Sequence, residues 1–220
     1  MKVHHEGRGV LVIYFIILAL LNGALYYFFH QPVLSYIIGA VSLILFLIVL
    51  NFYRSPYRRF IGDMTNMVVS SADGKIVAIE EVYEAEYFKD KRILVSVFMS
   101  PFNVHANWFP INGKVLVSKH HDGRFMAAYL PKSSTENERS SVVIESEDGQ
   151  NQILLRQVAG AMARRIVTYP KAGDTAHIND HLGFIKLGSR VDLYLPPGTE
   201  ILVQMDQKVT GNQTVIAKLR

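Results

Sequence analysis

Hydrophobic and polar positions fall along this chain in two regimes. Residues 10–29 form a run of twenty without a charge, interrupted only by Asn22 and Gly23. Residues 33–53 form a second uncharged run, which holds Ser35, Gly39, Ser42 and Asn51. At about 1.5 Å rise per residue, either run crosses a hydrocarbon layer of ~30 Å as a helix. Only His30-Gln31-Pro32 separates them, which predicts a tight antiparallel hairpin with Pro32 opening the second helix. Tyr26, Tyr27 and Tyr53 stand near the run ends, where aromatic rings favour an interface. Gly23, Ala24, Gly39 and Ala40 offer places for the helices to approach closely. A cleaved signal peptide also begins basic and then apolar, but the length of the first run and the second run directly behind it argue for retention.

From Asp63 onward the pattern shortens to runs of β-branched residues punctuated by Gly, Pro and Asp-Gly. Residues 67–70, Ser71-Ala-Asp-Gly74 and residues 75–80 read as strand, turn and strand, a β-hairpin. Residues 92–99 are nearly continuous in apolar side chains and read as a central strand. Further strands are expected at 114–118, 125–129, 141–145, 152–158, 164–168, 183–187, 190–195 and 215–219, with a polar surface loop at 132–139. Eight or more short strands point to a barrel or sandwich. In the final third, Lys171-Ala-Gly-Asp174, Leu195-Pro-Pro-Gly198 and residues 208–213 space the strands in a way that resembles lipoyl- and biotinyl-carrier domains. The expected fold is mainly β, a barrel-sandwich-hybrid-like β domain preceded by an N-terminal two-helix transmembrane hairpin. Its domains are a hairpin with basic flanks at 1–60 and a β-rich domain at 61–220.

Charge sharpens this picture. The net +4 resides entirely in residues 1–60, where Lys2, Arg8, Arg54, Arg58 and Arg59 face Glu6 alone. The remainder is balanced, so a nucleic-acid partner is not expected. Basic residues precede and follow the hairpin while its turn has none, which places both termini and the β domain on the cytoplasmic side. The three arginines after the hairpin are expected at lipid headgroups. The absence of cysteine excludes disulfides, thiolate metal sites and a thiol nucleophile.

Four blocks hold the candidate chemistry. In Gly183-Phe-Ile-Lys-Leu-Gly-Ser-Arg-Val-Asp-Leu-Tyr-Leu-Pro196, two short strands meet at Gly188-Ser189, which on the residues alone is a bulge or tight turn. Asp73, in Val69-Ser-Ser-Ala-Asp-Gly-Lys75, reads as ordinary turn chemistry. His105 lies in Phe98-Met-Ser-Pro-Phe-Asn-Val-His-Ala-Asn-Trp-Phe-Pro110. The fourth block combines Glu136-Asn-Glu-Arg139 with Val158-Ala-Gly-Ala-Met-Ala-Arg-Arg-Ile166. His177 and His181 have a metal-ligand spacing only if helical, and the flanking Gly173 and Gly183 argue for a turn, so no metal is expected. His120-His121 reads as an exposed turn.

Taken in order, these blocks resemble the short, archaeal-and-bacterial type of phosphatidylserine decarboxylase proenzyme, over residues of about 51–195. The resemblance implies self-cleavage at Gly188-Ser189 into a large chain 1–188 and a small chain 189–220. Ser189 would then become a covalent pyruvoyl group, the cofactor whose ketone condenses with the substrate amine. It further implies a phospholipid substrate in the membrane, phosphatidylethanolamine as product, an inner-membrane location and a homodimer. His105 matches the family's catalytic histidine, expected to protonate the carbanion left by decarboxylation. Asp73 matches an aspartate that orients a histidine during cleavage. Longer members carry a second histidine at the position of Trp108 and short ones commonly an arginine, so this chain departs from both. The alternative on the residues is a non-enzymatic, membrane-anchored barrel-sandwich adaptor or carrier module.

Overall fold

The computed structural model describes residues 2–124, 136–160, 165–186 and 189–220. The chain divides into two compact units, 1–57 and 58–220.

In the first unit, β1 (Lys2–Val3) pairs antiparallel with β2 (Arg54–Ser55), and between them run α1 (His5–Phe29) and α2 (Pro32–Phe52). Helix α1 starts earlier than the uncharged run because His4 caps it, its Nδ1 accepting the Glu6 amide at 3.3 Å. Pro32 opens α2, and His30 makes the turn in the left-handed region at φ 48°. Both helices are long and apolar enough to cross a membrane. Gly23 and Gly39 are not the points of close approach, since a Cβ on either would meet nothing within 4 Å. The helices instead share a polar contact, Asn22 Nδ2 donating to Ser42 Oγ at 2.9 Å.

The second unit is mainly β. Its strands are β3 (Met67–Val69), β4 (Gly74–Glu84), β5 (Asp90–Met99), β6 (Ala106–Trp108), β7 (Gly113–His121), β8 (Arg139–Ser146) and β9 (Gln152–Ala159). They continue with β10 (Arg165–Thr168), β11 (Thr175–Ala176), β12 (His181–Lys186), β13 (Ser189–Leu195), β14 (Glu200–Ile201), β15 (Lys208–Val209) and β16 (Val215–Lys218). Among the described residues they form an eight-stranded sheet in the order β11-β7-β8-β9-β13-β5-β4-β15, and two three-stranded sheets, β10-β12-β6 and β14-β16-β3. One face of the large sheet sends Val95, Val97, Val142, Leu155, Val191 and Leu193 into a core shared with Val68, Ile166, Leu182, Ile185 and Ile216 of the small sheets. Strand β5 lies between β13 and β4, as its nearly continuous apolar run predicts.

The hairpin expected at 67–80 does not form. Strand β3 pairs with β16 and β4 with β5 and β15, so the Asp73-Gly74 step carries the chain from one sheet to another. Gly74 serves close approach there, because a Cβ would stand 2.1 Å from the Phe98 carbonyl oxygen. Asp-Gly hairpin chemistry is realised at Asp148-Gly149, where Gly149 has φ 72° and Ser146 N donates to Asn151 O at 2.8 Å. His120-His121 is also not a turn but the end of β7, with His121 Nε2 2.6 Å from a Glu86 carboxylate oxygen. The strand expected at 125–129 and the first half of the loop expected at 132–139 lie outside the described residues, while Arg139 at the end of that loop opens β8.

Candidate active site

Ser189 is the first residue of β13, fixed on both sides by the large sheet opposite Met99 of β5 and Ala159 of β9. It is fully buried, and its hydroxyl donates to Met99 Sδ at 3.2 Å. A thioether is a weak acceptor, so this contact orients the hydroxyl without tying it up. Leu187 and Gly188 lie outside the described residues.

His105 reaches the same segment from the other direction. The loop after β5 closes on itself, Asn103 Oδ1 accepting Ser100 N at 2.9 Å and Ser100 Oγ at 2.7 Å. His105, fully buried just before β6, places Nε2 3.1 Å from Ser100 O. A carbonyl only accepts, so this contact puts a proton on Nε2. Its own carbonyl accepts from Ile185 N of β12 at 3.2 Å. Ser189 and His105 thus contact two consecutive residues of the chain, Met99 and Ser100.

Asp73 is not bonded to His105. Among the described residues its carboxylate accepts from both η nitrogens of Arg58, through Oδ1 and, at 3.0 Å, through Oδ2. It also accepts from Gly211 N at 2.8 Å and Val104 N at 3.4 Å. Its link to His105 is therefore the backbone of the preceding residue. Arg58, expected at lipid headgroups, is mostly buried here, its guanidinium carbon 5.7 Å from the centroid of the Trp108 ring. Trp108 itself is buried and meets the His181 ring edge-on at 5.2 Å. His177 is exposed, and residues 177–180 form a turn rather than a helix.

A polar chain that the sequence did not disclose lies behind Met99. Asn107 Nδ2 approaches Met99 Sδ at 3.8 Å, Gln157 Nε2 donates to Asn107 Oδ1 at 2.7 Å, and Thr168 Oγ1 lies 2.8 Å from Gln157 Oε1. Asn107 and Gln157 are fully buried, so each depends on these contacts to satisfy its amide. Asn107 belonged to a block already singled out, but nothing in the neighbourhood of Gln157 distinguishes it from a strand residue facing solvent.

Comparison with known proteins bears on this arrangement. A family model described as phosphatidylserine decarboxylase matches residues 45–217. A Parabacteroides distasonis protein named phosphatidylserine decarboxylase proenzyme is 60% identical over 219 residues, covering 100% of this chain and 99% of its own. Proteins of the same name from Bacteroides thetaiotaomicron and Porphyromonas gingivalis are each 53% identical, cover 100% of this chain, and are themselves covered over 96% and 99%.

Proposed function

Because this chain belongs to the phosphatidylserine decarboxylase family, we propose that it cleaves itself at Gly188-Ser189 and then decarboxylates phosphatidylserine to phosphatidylethanolamine. The observation that carries this reading is the buried Ser189 hydroxyl, held among the described residues by the Met99 thioether, with a buried histidine whose Nε2 bonds the carbonyl of the next residue, Ser100. The weakly held hydroxyl can turn onto a carbonyl carbon, and an imidazole is the side chain suited to take its proton.

In this reading Ser189 Oγ attacks the Gly188 carbonyl carbon and gives up its proton to an imidazole, with His105 the first candidate. The C–N bond between the two residues breaks as a C–O ester bond forms, and the freed nitrogen takes a proton. Loss of the Ser189 α-proton then expels the Gly188 carboxylate and leaves a dehydroalanine. Its tautomer is hydrolysed by water with release of ammonia, so that residues 189–220 begin with a pyruvoyl group. Ser189 fits that group: it heads a strand pinned on both edges, in a fully buried position that excludes bulk water. Once formed, the pyruvoyl group supplies the electron sink for loss of CO2 from the serine headgroup. His105 holds the proton that replaces the carboxylate on the headgroup carbon. Asp73 sets the His105 loop through the Val104 amide.

The hairpin suits a substrate that lies in a bilayer, with the two helices as the membrane anchor in residues 1–60 and catalysis in 61–220. Lys2, Arg8, Arg54 and Arg59 support a cytoplasmic catalytic unit. The homodimer enters on the family resemblance alone, and the mass of the detergent-solubilised complex measures it. A non-enzymatic adaptor leaves the buried Ser189 and His105 constellation without a use.

Intact-mass measurement on purified protein tests the reading. The expected species are 1–188 and a 189–220 chain with pyruvoyl in place of serine, whereas Ser189→Ala stays a single chain of 24.9 kDa. Wild-type protein that remains uncleaved in its native membrane overturns the proposal. Cleaved His105→Ala is expected to release little CO2, and full activity in it moves the proton to His181.

A further inference from the structure

We propose that Arg58 is a positioning residue of the cleavage site: its guanidinium grips both oxygens of Asp73 and thereby fixes the His105 loop against the Gly211 turn. This rests on the self-cleavage reading above. Four donors converge on the Asp73 carboxylate, and they come from three separate stretches of chain: Arg58, Val104 and Gly211. A carboxylate only accepts, so Asp73 is suited to collecting them, but its side chain is just 10% exposed and needs a neutralising partner at that depth. Arg58, 15% exposed, supplies that charge in the bidentate geometry that a guanidinium matches to a carboxylate.

The same guanidinium completes a clasp around Gly211. Arg58 Nη1 lies 3.4 Å from the Gly211 carbonyl while Asp73 accepts the Gly211 amide, so both backbone groups of that residue are engaged. The Arg58 carbonyl in turn accepts from Asn212 Nδ2 at 3.2 Å. Trp108 forms the wall behind this clasp. A Cβ on Gly211 would lie 2.6 Å from its ring, and the Arg58 guanidinium sits over its face. Gly211 belongs to 189–220 and Val104 to 1–188. The Arg58–Asp73 pair therefore ties the segment that bears the nucleophile to the loop that bears the imidazole. Trp108 cannot supply a cation, and Arg58, fifteen residues before Asp73, brings one to it.

The test compares maturation rates of Arg58→Met, Arg58→Lys and wild type, made by cell-free synthesis into phospholipid vesicles and followed by appearance of the 189–220 fragment. Met keeps length and packing without charge, and Lys keeps the charge without the two-point grip. The expected order is wild type, then Lys slower by about threefold or more, then Met slower by at least about tenfold, matching loss of charge-assisted bonds. Thermal midpoints that lie above the reaction temperature in all three proteins show that each is folded while its maturation is timed. Met maturing as fast as Lys overturns the proposal, since packing alone would then account for Arg58. Should Arg58→Met fail to fold, Arg58→Lys decides alone, and a wild-type rate in it shows the grip to be dispensable. Wild-type protein that yields no 189–220 fragment defeats the self-cleavage reading itself, an outcome distinct from the others.

Discussion

Glu84 offers a sharp test of how the large sheet is held, on its face away from the main core. Its side chain is 2% exposed, yet its carboxylate receives four donors. Oε1 accepts Glu86 N at 3.0 Å and Arg156 Nη2 at 3.0 Å, and Oε2 accepts Tyr87 N at 2.8 Å and Phe88 N at 2.9 Å. Arg156, equally buried, also bonds Glu86 at 2.8 Å and the Tyr194 hydroxyl at 2.7 Å. Glu84→Gln keeps the shape but only one acceptor oxygen, so whichever way the amide turns, its NH2 faces two N–H donors. Two charge-assisted bonds are lost and a buried guanidinium is left half paired, which costs about 3–5 kcal/mol. For a chain of this size that lowers the thermal midpoint by roughly 6–20 °C. Burial pushes the Glu84 carboxyl up, but the amides of Tyr87, Phe88 and Glu86 and the Arg156 charge together outweigh it and hold the group below its ordinary value. The native contribution is therefore full above an unfolded pKa of about 4.3 and is lost as pH falls below it. Thermal melts in detergent, by circular dichroism at pH 7 and again near pH 3.5, make the comparison. The gap between wild type and Glu84→Gln should be wide at pH 7 and narrower at the acid end. A pH 7 midpoint within about 3 °C of wild type, at most ~1.5 kcal/mol on the same scale, or a gap that does not narrow with acid, refutes the reasoning.

Gln157→Leu should leave Asn107 and Thr168 without their buried partner and cost about 1–3 kcal/mol, read as a lowered melting midpoint. A Gln157→Glu variant melting like wild type would show that acceptor geometry alone suffices. Asn22→Leu removes the inter-helix bond to Ser42; in bilayers such bonds are worth about 0.6 kcal/mol on average. Resistance of the 1–57 hairpin to unfolding by SDS should therefore drop only slightly, and collapse of the hairpin would mean the contact carries more than a hydrogen bond.

Where the determinants are local, the sequence is enough. Two uncharged runs with a Pro between them dictate two helices and the position of their turn, because length and apolarity set that outcome without reference to the rest of the chain. The nearly continuous apolar run of β5 likewise announces a strand with neighbours on both sides, and β13 is buried along its whole length. The motifs around Asp73, His105 and Gly188-Ser189 are also visible as strings, since the resemblance is carried by residue identity in order.

What the sequence cannot express is which distant groups meet. Asp73-Gly74 reads as a hairpin turn because Asp-Gly is turn chemistry anywhere; only packing against the Phe98 carbonyl makes it a crossing between sheets. Arg58 reads as a headgroup arginine because it follows an apolar helix. Its pairing with Asp73 exists only once the Gly211 turn and the Trp108 ring enclose both charges, and enclosure is a property of the folded interior. The same holds for Met99, which is one more apolar residue in a strand until β13 aligns Ser189 opposite it. Periodicity fixes which face of a strand is apolar, whereas register and sheet order decide which polar atoms are buried within reach of one another, and from those the site is built.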